Sequence, residues 1–287
     1  MNKVDPAGYL SQRKLLVERA LEERLPSAEA EPRHIHAAMR YAALRGGKRL
    51  RPMLVLEVGA MADGEPERFL DAACALEFVH TASLVLDDLP SMDNAALRRG
   101  EPTTHTVYGE ATAVLASMGF VAMAFELVAR NAEALGHPER AAGAVRVLAE
   151  AIGPAGIIHG QHVDLGLVSD RASLERLEDI YGRKAGALFV AAVGIPAYLA
   201  GMGAEEKDAL HRYAMNVGLT LQITDDLLDV RDAADRDKTT FATHLGVEGA
   251  RHKAGELACE AAAALEVFGE RAEPLRRLAE YLQTRTV

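Results

Sequence analysis

Two groups of carboxylates stand at the ends of apolar stretches: Asp87-Asp88-Leu89-Pro90-Ser91-Met92-Asp93 and Asp225-Asp226-Leu227-Leu228-Asp229. Holding so many carboxylates beside Leu and Val is costly unless cations neutralise them. In the second group Asp225 and Asp229 are four residues apart and share one helix face. In the first, Asp87 and Asp93 are six apart, which is about 240° around a regular helix. They can meet on one metal only where the helix breaks, and Pro90 supplies the break. Oxygen-only ligand sets of this kind suit magnesium, which keeps several waters and commonly bridges to substrate phosphates. Either group alone could be an acidic helix end facing solvent; the recurrence of the pattern argues against that.

Cations supply the other half. Gly46-Gly47-Lys48-Arg49-Leu50-Arg51-Pro52 sets two glycines and three cations where a helix is expected to begin, and free backbone N–H groups with Lys and Arg suit a diphosphate. Arg98-Arg99 follow the first acidic group, Lys184 lies one turn after Tyr181, Gln222 one turn before Asp225 and Asp226, and Lys238 sits in Asp237-Lys238-Thr239-Thr240. His80, seven residues before Asp87, shares its stripe two turns away; alone it would read as a core histidine. His159, His162 and Asp164 have a spacing open to a transition metal, but no further ligand group adjoins them. The chain has no Gly-x-Ser-x-Gly elbow, P-loop, dinucleotide fingerprint or Cys-x-x-Cys.

The elements that must position these groups read as helices throughout. Hydrophobic residues are 49% of the 287, aromatics only 5%, and Trp is absent, a balance that favours helix on helix over strands. Helical spacing runs over 9–25, 69–86, 111–128, 174–193, 205–230 and 249–268. Breakers stand at Gly46-Gly47, Gly64-Glu65-Pro66, Gly136-His137-Pro138, Gly153-Pro154 and Gly201-Met202-Gly203. No stretch shows sustained strand alternation, and no repeat or linker divides the chain. The expectation is one all-α domain over 1–287, a single bundle of about ten helices of ordinary length. The uncharged run from Ala185 to Ala204 is long enough to span a bilayer, but Gly194, Pro196, Gly201 and Gly203 make it core helix, bend and turn rather than a membrane span. A net charge of −10 argues against nucleic acid as a partner without excluding a small anionic substrate. Cys74 and Cys259, each among apolar residues, read as two buried thiols in a reducing, cytoplasmic setting.

Taken together, the motifs GGKRLRP at 46–52, HTASLVLDDLPSMDNAALRRG at 80–100, GQHVDL at 161–166, YGRKAGAL at 181–188 and LQITDDLLDV at 221–230 resemble those of the trans-type isoprenyl diphosphate synthases, or polyprenyl synthetases, over most of the chain. The resemblance implies the isoprenoid-synthase fold, an all-α bundle with both aspartate-rich motifs around a central cavity, and a homodimer. It implies condensation of isopentenyl diphosphate with an allylic diphosphate, with Mg2+ as cofactor. Lys48, Arg51, His80 and Arg99 would hold the diphosphate of isopentenyl diphosphate. Arg98, Lys184, Gln222 and Lys238 would hold or orient the allylic diphosphate. Asp87, Asp93 and Asp225 would be the main metal ligands, with Asp88, Asp226 and Asp229 ligating or supporting through water. Two features depart from the family pattern. Ala185 stands where a Thr is usual, and the segment 231–238 is shorter than in many members and lacks a Gly-Lys.

Helix geometry adds an expectation about product length. Ser83 and Ala82 lie four and five residues before Asp87, one turn below the chemistry. Family members that stop at fifteen carbons tend to put an aromatic at one of these places. Here both are small, so a growing tail passes, and Phe78 with Val79, joined by Met118 or Phe120, would form the next floor. That predicts a C20 product, geranylgeranyl diphosphate, with farnesyl or geranyl diphosphate as alternatives. A terpene cyclase would not need GGKRLRP, and a non-catalytic regulatory subunit would not need both aspartate sets.

Overall fold

A computed structural model describes residues 6–166, 174–229 and 240–284. These form two compact units, Met1–Val145 and Arg146–Val287, and nearly all of both is helix, as composition and spacing predict.

The first unit holds α1 (Pro6–Arg24), α2 (Arg33–Ala43), α3 (Leu50–Asp63), α4 (Leu70–Asp87), the short α5 (Thr104–Tyr108), α6 (Glu110–Ala134) and the start of α7 (Ala141–Ile152). Helix α4 is its axis: every residue from Ala72 to Val79 is buried. Small side chains at 72, 73 and 75 let neighbours come close, and Phe78 meets Phe120 of α6 with ring centroids 5.4 Å apart. Gly59 of α3 makes room for Phe69, whose ring would lie 2.4 Å from a Cβ placed there.

So apolar a helix carries one anomaly, Glu77, only 3% exposed. Arg49, the residue before α3, neutralises it: Nη1 donates to Glu77, Nε donates to Glu18 at 2.9 Å and Nη2 to the Ala43 carbonyl at 2.7 Å. One buried guanidinium thus fastens α1, α2 and α4. Burial works against its charge, but Glu18 and Glu77 outweigh burial and hold it above its ordinary pKa. Asp71 at the start of α4 is similar. Burial pushes its carboxyl up, while Arg130 at 2.7 Å and Arg24 at 2.5 Å more than reverse this.

A minimal antiparallel hairpin, β1 (Leu97–Arg98) and β2 (Glu101–Pro102), joins α4 to α5. Its turn residues Arg99 (φ 55) and Gly100 (φ 80) are both left-handed, as a two-residue hairpin turn requires. Two residues per strand are too few to show alternation in a sequence, which is why no strand was expected.

The second unit contains the rest of α7, then α8 (Ile157–Asp164), α9 (Leu174–Tyr181), a π turn (Gly182–Gly186), α10 (Ala187–Leu199), α11 (Ala204–Asp229), α12 (Phe241–Ala264) and α13 (Glu273–Thr284). Where spacing predicts one helix over 174–193, the π turn interrupts it. Backbone approaches that only glycine permits hold this turn: a Cβ on Gly160 would lie 2.5 Å from the Lys184 nitrogen, and one on Gly218 3.0 Å from Gly186 Cα. Helix α10 is largely buried and runs through Pro196 to a turn at Gly201, which is the core helix and turn expected of that uncharged run. Along α12 a short first segment, opened by the reciprocal cap of Thr240 and Thr243, is broken at Gly246 (φ 74), and the long helix resumes there, close to where spacing predicts it. Cys74 is buried, its thiol pushed up to about 12 by desolvation, but Cys259 is exposed on the outer face of α12, so only one of the two thiols is in a core.

Among the described residues three stretches are long and apolar enough, by length and composition, to cross a membrane: Pro66–Asp87, Glu110–Ala134 and Pro138–Asp164. The first is mostly buried inside its own unit, whereas α6 carries an exposed apolar stripe of Ala111, Val114, Leu115, Met118 and Ala122.

Glu77→Gln leaves Arg49 without one of its two balancing charges and is expected to cost about 3 kcal/mol, read as a lower denaturant midpoint. Glu101→Gln, at an exposed pair with Arg45, should change it by less than about 1 kcal/mol. Equal effects would show that Glu18 alone satisfies Arg49.

Candidate active site

In the first unit α4 ends at Asp87, and the turn through Pro90 folds back so that the Asp93 amide donates to the Asp87 carbonyl at 2.9 Å, with Asn94 left-handed at φ 51. The break required by the six-residue spacing is therefore present. Asp87 is half-buried and Asp93 exposed. Asp88, 3% exposed, is gripped by Arg98, whose Nε lies 2.8 and 3.0 Å from its two oxygens and whose Nη2 lies 2.7 Å from Oδ1. Burial is the largest single influence and opposes the Arg98 charge, but the bond to Asp88 together with the charges of Asp88, Asp87 and Asp93 outweighs it, so its pKa is raised. Arg98 thus supports the aspartate end of α4 directly.

The cations of the first unit divide the work between them. Gly46 (φ 75) and Gly47 (φ 145) shape the loop before α3. Arg99 donates to the Gly46 carbonyl, and its Nη1 lies 2.8 Å from where a Cβ on Gly47 would sit, close against a glycine whose positive φ other residues rarely adopt. Arg51 Nη1 lies 3.4 Å from His80 Nε2. A guanidinium can only donate, so Nε2 accepts and the imidazole proton sits on Nδ1. Burial, then Arg51, Arg99, Arg49 and Arg98, push the His80 pKa well down, leaving a neutral ring among guanidiniums. Lys48 is exposed on the same loop. A cavity of about 70 Å³ between Arg45, Arg49, Glu77, Asp88, Arg98 and Arg99 has room for a few waters and far too little for a prenyl chain.

The chain-length candidates lie along α4. Ala82 is 2% exposed, its carbonyl 3.5 Å from the Ser117 hydroxyl of α6, and the Ser83 hydroxyl donates to the His80 carbonyl at 2.9 Å. Of the two floor partners named from sequence, Phe120 is buried against Phe78, but Met118 is 64% exposed and takes no part. Helical phase explains the difference: two residues on α6 turn Met118 to the outer face.

In the second unit Asp225 is half-buried near the end of α11, and Asp226 is 8% exposed. Tyr181 donates its hydroxyl to Asp226 Oδ2 at 2.8 Å, and Gln222 Nε2 donates to Oδ1 at 3.2 Å. Lys184, on the π turn, pairs with Asp164 at 2.5 Å, and Asp179 takes Arg183 at 2.7 Å with His159 at 3.9 Å. Asp164 and Asp179 are thus occupied by cations, and among the described residues no three His, Cys, Asp or Glu gather as a ligand set. The His159, His162, Asp164 spacing does not become a transition-metal centre. The Asp229 side chain, Lys238 and the segment 231–238 lie outside the described residues. In each unit by itself the donors are oxygen only, Asp87 and Asp93 in the first and Asp225 in the second, a chemistry that suits a hard divalent cation.

Sequence reasoning missed three residues. Arg49 read as one cation of a run but is structural; the signal was Glu77, a lone carboxylate in an apolar helix. Tyr181 was only a landmark for Lys184. Gln161, in the motif at 161–166, has a buried amide whose Nε2 and Oε1 meet no hydrogen-bonding partner among the described residues.

An all-helical chain with two aspartate-rich helix ends, each beside basic or amide side chains suited to diphosphate, defines an enzyme of the isoprenoid-synthase class. The chain belongs to the polyprenyl synthetase family, whose model matches residues 32–245, and is a prenyltransferase. It is 42% identical to a chloroplastic geranylgeranyl pyrophosphate synthase of Capsicum annuum, covering 96% of this chain and 78% of that one. It is 40% identical to geranylgeranyl pyrophosphate synthase 11 of Arabidopsis thaliana, covering 98% and 82%. Among solved structures, an FPP/GFPP synthase from Zymomonas mobilis is 36% identical with a TM-score of 0.90, covering 98% of this chain and 99% of that one. A geranyltransferase from Legionella pneumophila is 33% identical with a TM-score of 0.87, covering 98% and 96%.

Gly160→Ala sets a methyl against the Lys184 backbone, which cannot yield as a flexible side chain would. Overpacking of this kind costs about 1–3 kcal/mol, so both melting temperature and prenyl transfer should fall; an unchanged melting temperature would mean that α8 slides off the turn freely.

Proposed function

We propose that the protein condenses isopentenyl diphosphate with an allylic diphosphate, using Mg2+, and releases geranylgeranyl diphosphate. The observation that carries the product length is the course of α4. Ala82 and Ser83 are small, and one turn deeper Phe78 packs against Phe120, the pair that we take as the floor. Phe78 is nine residues before Asp87, or about 13 Å along the axis. Ala82 is about 7 Å below Asp87 on the same scale, so an aromatic there would stop the tail a turn earlier. The names of the Capsicum and Arabidopsis relatives support the same reading.

In this reading Lys48, Arg51, His80 and Arg99 bind the diphosphate of isopentenyl diphosphate. Lys184, Gln222, Lys238 and Arg98 serve the allylic diphosphate. Asp87, Asp93 and Asp225 hold the metal, supported by Asp88, Asp226 and Asp229. Bound Mg2+ supplies positive charge at the leaving pyrophosphate. Lys184 and Arg98 add to it as the allylic C–O bond breaks. Both are ion-paired, to Asp164 and Asp88, yet three ammonium and five guanidinium donors leave bonds for an anion. The double bond of isopentenyl diphosphate attacks the allylic carbon, the new C–C bond forms, and a proton leaves to the departing pyrophosphate. Ala185 brings no hydroxyl to this step, so only the backbone of the π turn faces it there.

A second copy of the chain is the proposed partner of α6. Leu115 is 49% and Met118 64% exposed at the centre of its apolar stripe, an arrangement that favours burial against another apolar face. A reducing, cytoplasmic compartment agrees with two free cysteines.

Incubation with Mg2+, labelled isopentenyl diphosphate and C5, C10 or C15 primers should give mainly a C20 alcohol after dephosphorylation. A C15 end point would discard the floor, and no product would discard the catalytic reading. Ala82→Phe should shorten the product to C15; an unchanged length means the tail takes another path. Met118→Glu should convert a sedimenting dimer to monomer, and a monomeric wild type would overturn the α6 pairing.

A further inference from the structure

Asp226 is a buried carboxylate met on both oxygens by donors without charge, Tyr181 at 2.8 Å and Gln222 at 3.2 Å. Neutral donors stabilise an anion without themselves cancelling it. Gln222 is one turn earlier on the same helix and travels with it. Tyr181 comes from another element: it ends α9, stands three residues before Lys184, and opens the π turn. Its ring also lies 5.3 Å from that of Phe241, near the start of α12 and three residues after Lys238. One phenol therefore joins the turn that bears Lys184, the helix that bears Asp225 and the helix that follows Lys238. Burial, and then the Asp226 charge, push its pKa well up, so it remains a donor across the working pH range.

We propose that Tyr181 is a positioning residue for the allylic-diphosphate end of the site, pinning Asp226 so that Asp225 is presented to the metal at a fixed place relative to Lys184. A carboxylate bonded at both oxygens is fixed in place, and Asp225, about 100° away around the same helix, is fixed relative to it. Removing the hydroxyl takes one donor from a buried anion and removes a hydrogen-bonded link between α9 and α11, with no change in the size of the ring. The inference rests on the residue roles of the reading above.

The test is a double-mutant cycle of Tyr181→Phe and Asp226→Asn in the full chain, since coupling through one contact makes the pair non-additive. Four quantities are read: KM for the allylic primer, the Mg2+ concentration at half-maximal rate, KM for isopentenyl diphosphate, and the rise in melting temperature given by Mg2+ with inorganic pyrophosphate. Tyr181→Phe should raise the first two by about tenfold, the scale of one lost charge-assisted hydrogen bond. It should leave the third within about twofold and shrink the fourth, and the double variant should be no worse than Asp226→Asn alone. Additive losses, or a lower melting temperature with the Mg2+ midpoint unmoved, would make Tyr181 merely structural and overturn the proposal. A wild type inactive with every primer, but with the pyrophosphate response still dependent on Tyr181, would remove the prenyl-transfer reading and leave the positioning role standing. An active wild type matched by Tyr181→Phe in all four quantities would do the reverse.

Discussion

Charge has to be kept at the ends and flanks of helices that are otherwise apolar, and most of what is particular about this molecule follows from how that charge is balanced. Helix α4 is buried from Ala72 to Val79 and still carries Glu77 inside and Asp87 at its end. Glu77 is tolerated because Arg49 reaches it. Since Arg49 also holds Glu18 and the Ala43 carbonyl, the same guanidinium sets how α1, α2 and α4 meet. The loop that supplies it, with left-handed Gly46, Gly47 and Arg49, is also the loop that presents Lys48 and leads into Arg51. Structure and anion recognition share one turn of chain.

The two aspartate-rich ends solve the same problem differently. At α4 the inner aspartate, Asp88, is matched by a cation, Arg98. At α11 the inner aspartate, Asp226, is matched by two neutral donors and keeps its charge uncancelled by them. In each case the second carboxylate of the Asp-Asp pair is buried against the partners named, while its neighbour, Asp87 or Asp225, is half-buried. That is how adjacent residues of one type acquire separate work. The π turn has a related logic: backbone contact with α8 at Gly160 and with α11 at Gly218 holds Lys184 on main-chain atoms rather than on a movable side chain.

The fold class, the positions of most breaks and the family were legible in the residues, because each depends on local rules: helical spacing, Gly and Pro at turns, and motifs carried by a few adjacent side chains. The break at Pro90 could be inferred from the need to bring Asp93 back to Asp87, and the chain does turn there. The small residues at 82 and 83 and the bulk of Phe78 one turn before Ala82 were equally readable, since they are side-chain sizes along one helix.

Only the tertiary structure decided which equivalent-looking residues do which job. Arg49 and Arg51 are two apart in one basic run, yet one is buried in an ion-pair network and the other lies against His80, because the helix start turns them to different neighbours. Met118 and Phe120 are likewise two apart, one outside and one in the core. Cys259 has apolar neighbours in sequence and an exposed place in space. The pairing of Tyr181 with Asp226 joins residues 45 positions apart, and no local pattern encodes it. Sequence determines what each segment can become and what chemistry its side chains offer; contacts between segments select the partner, and with it the charge state and the role.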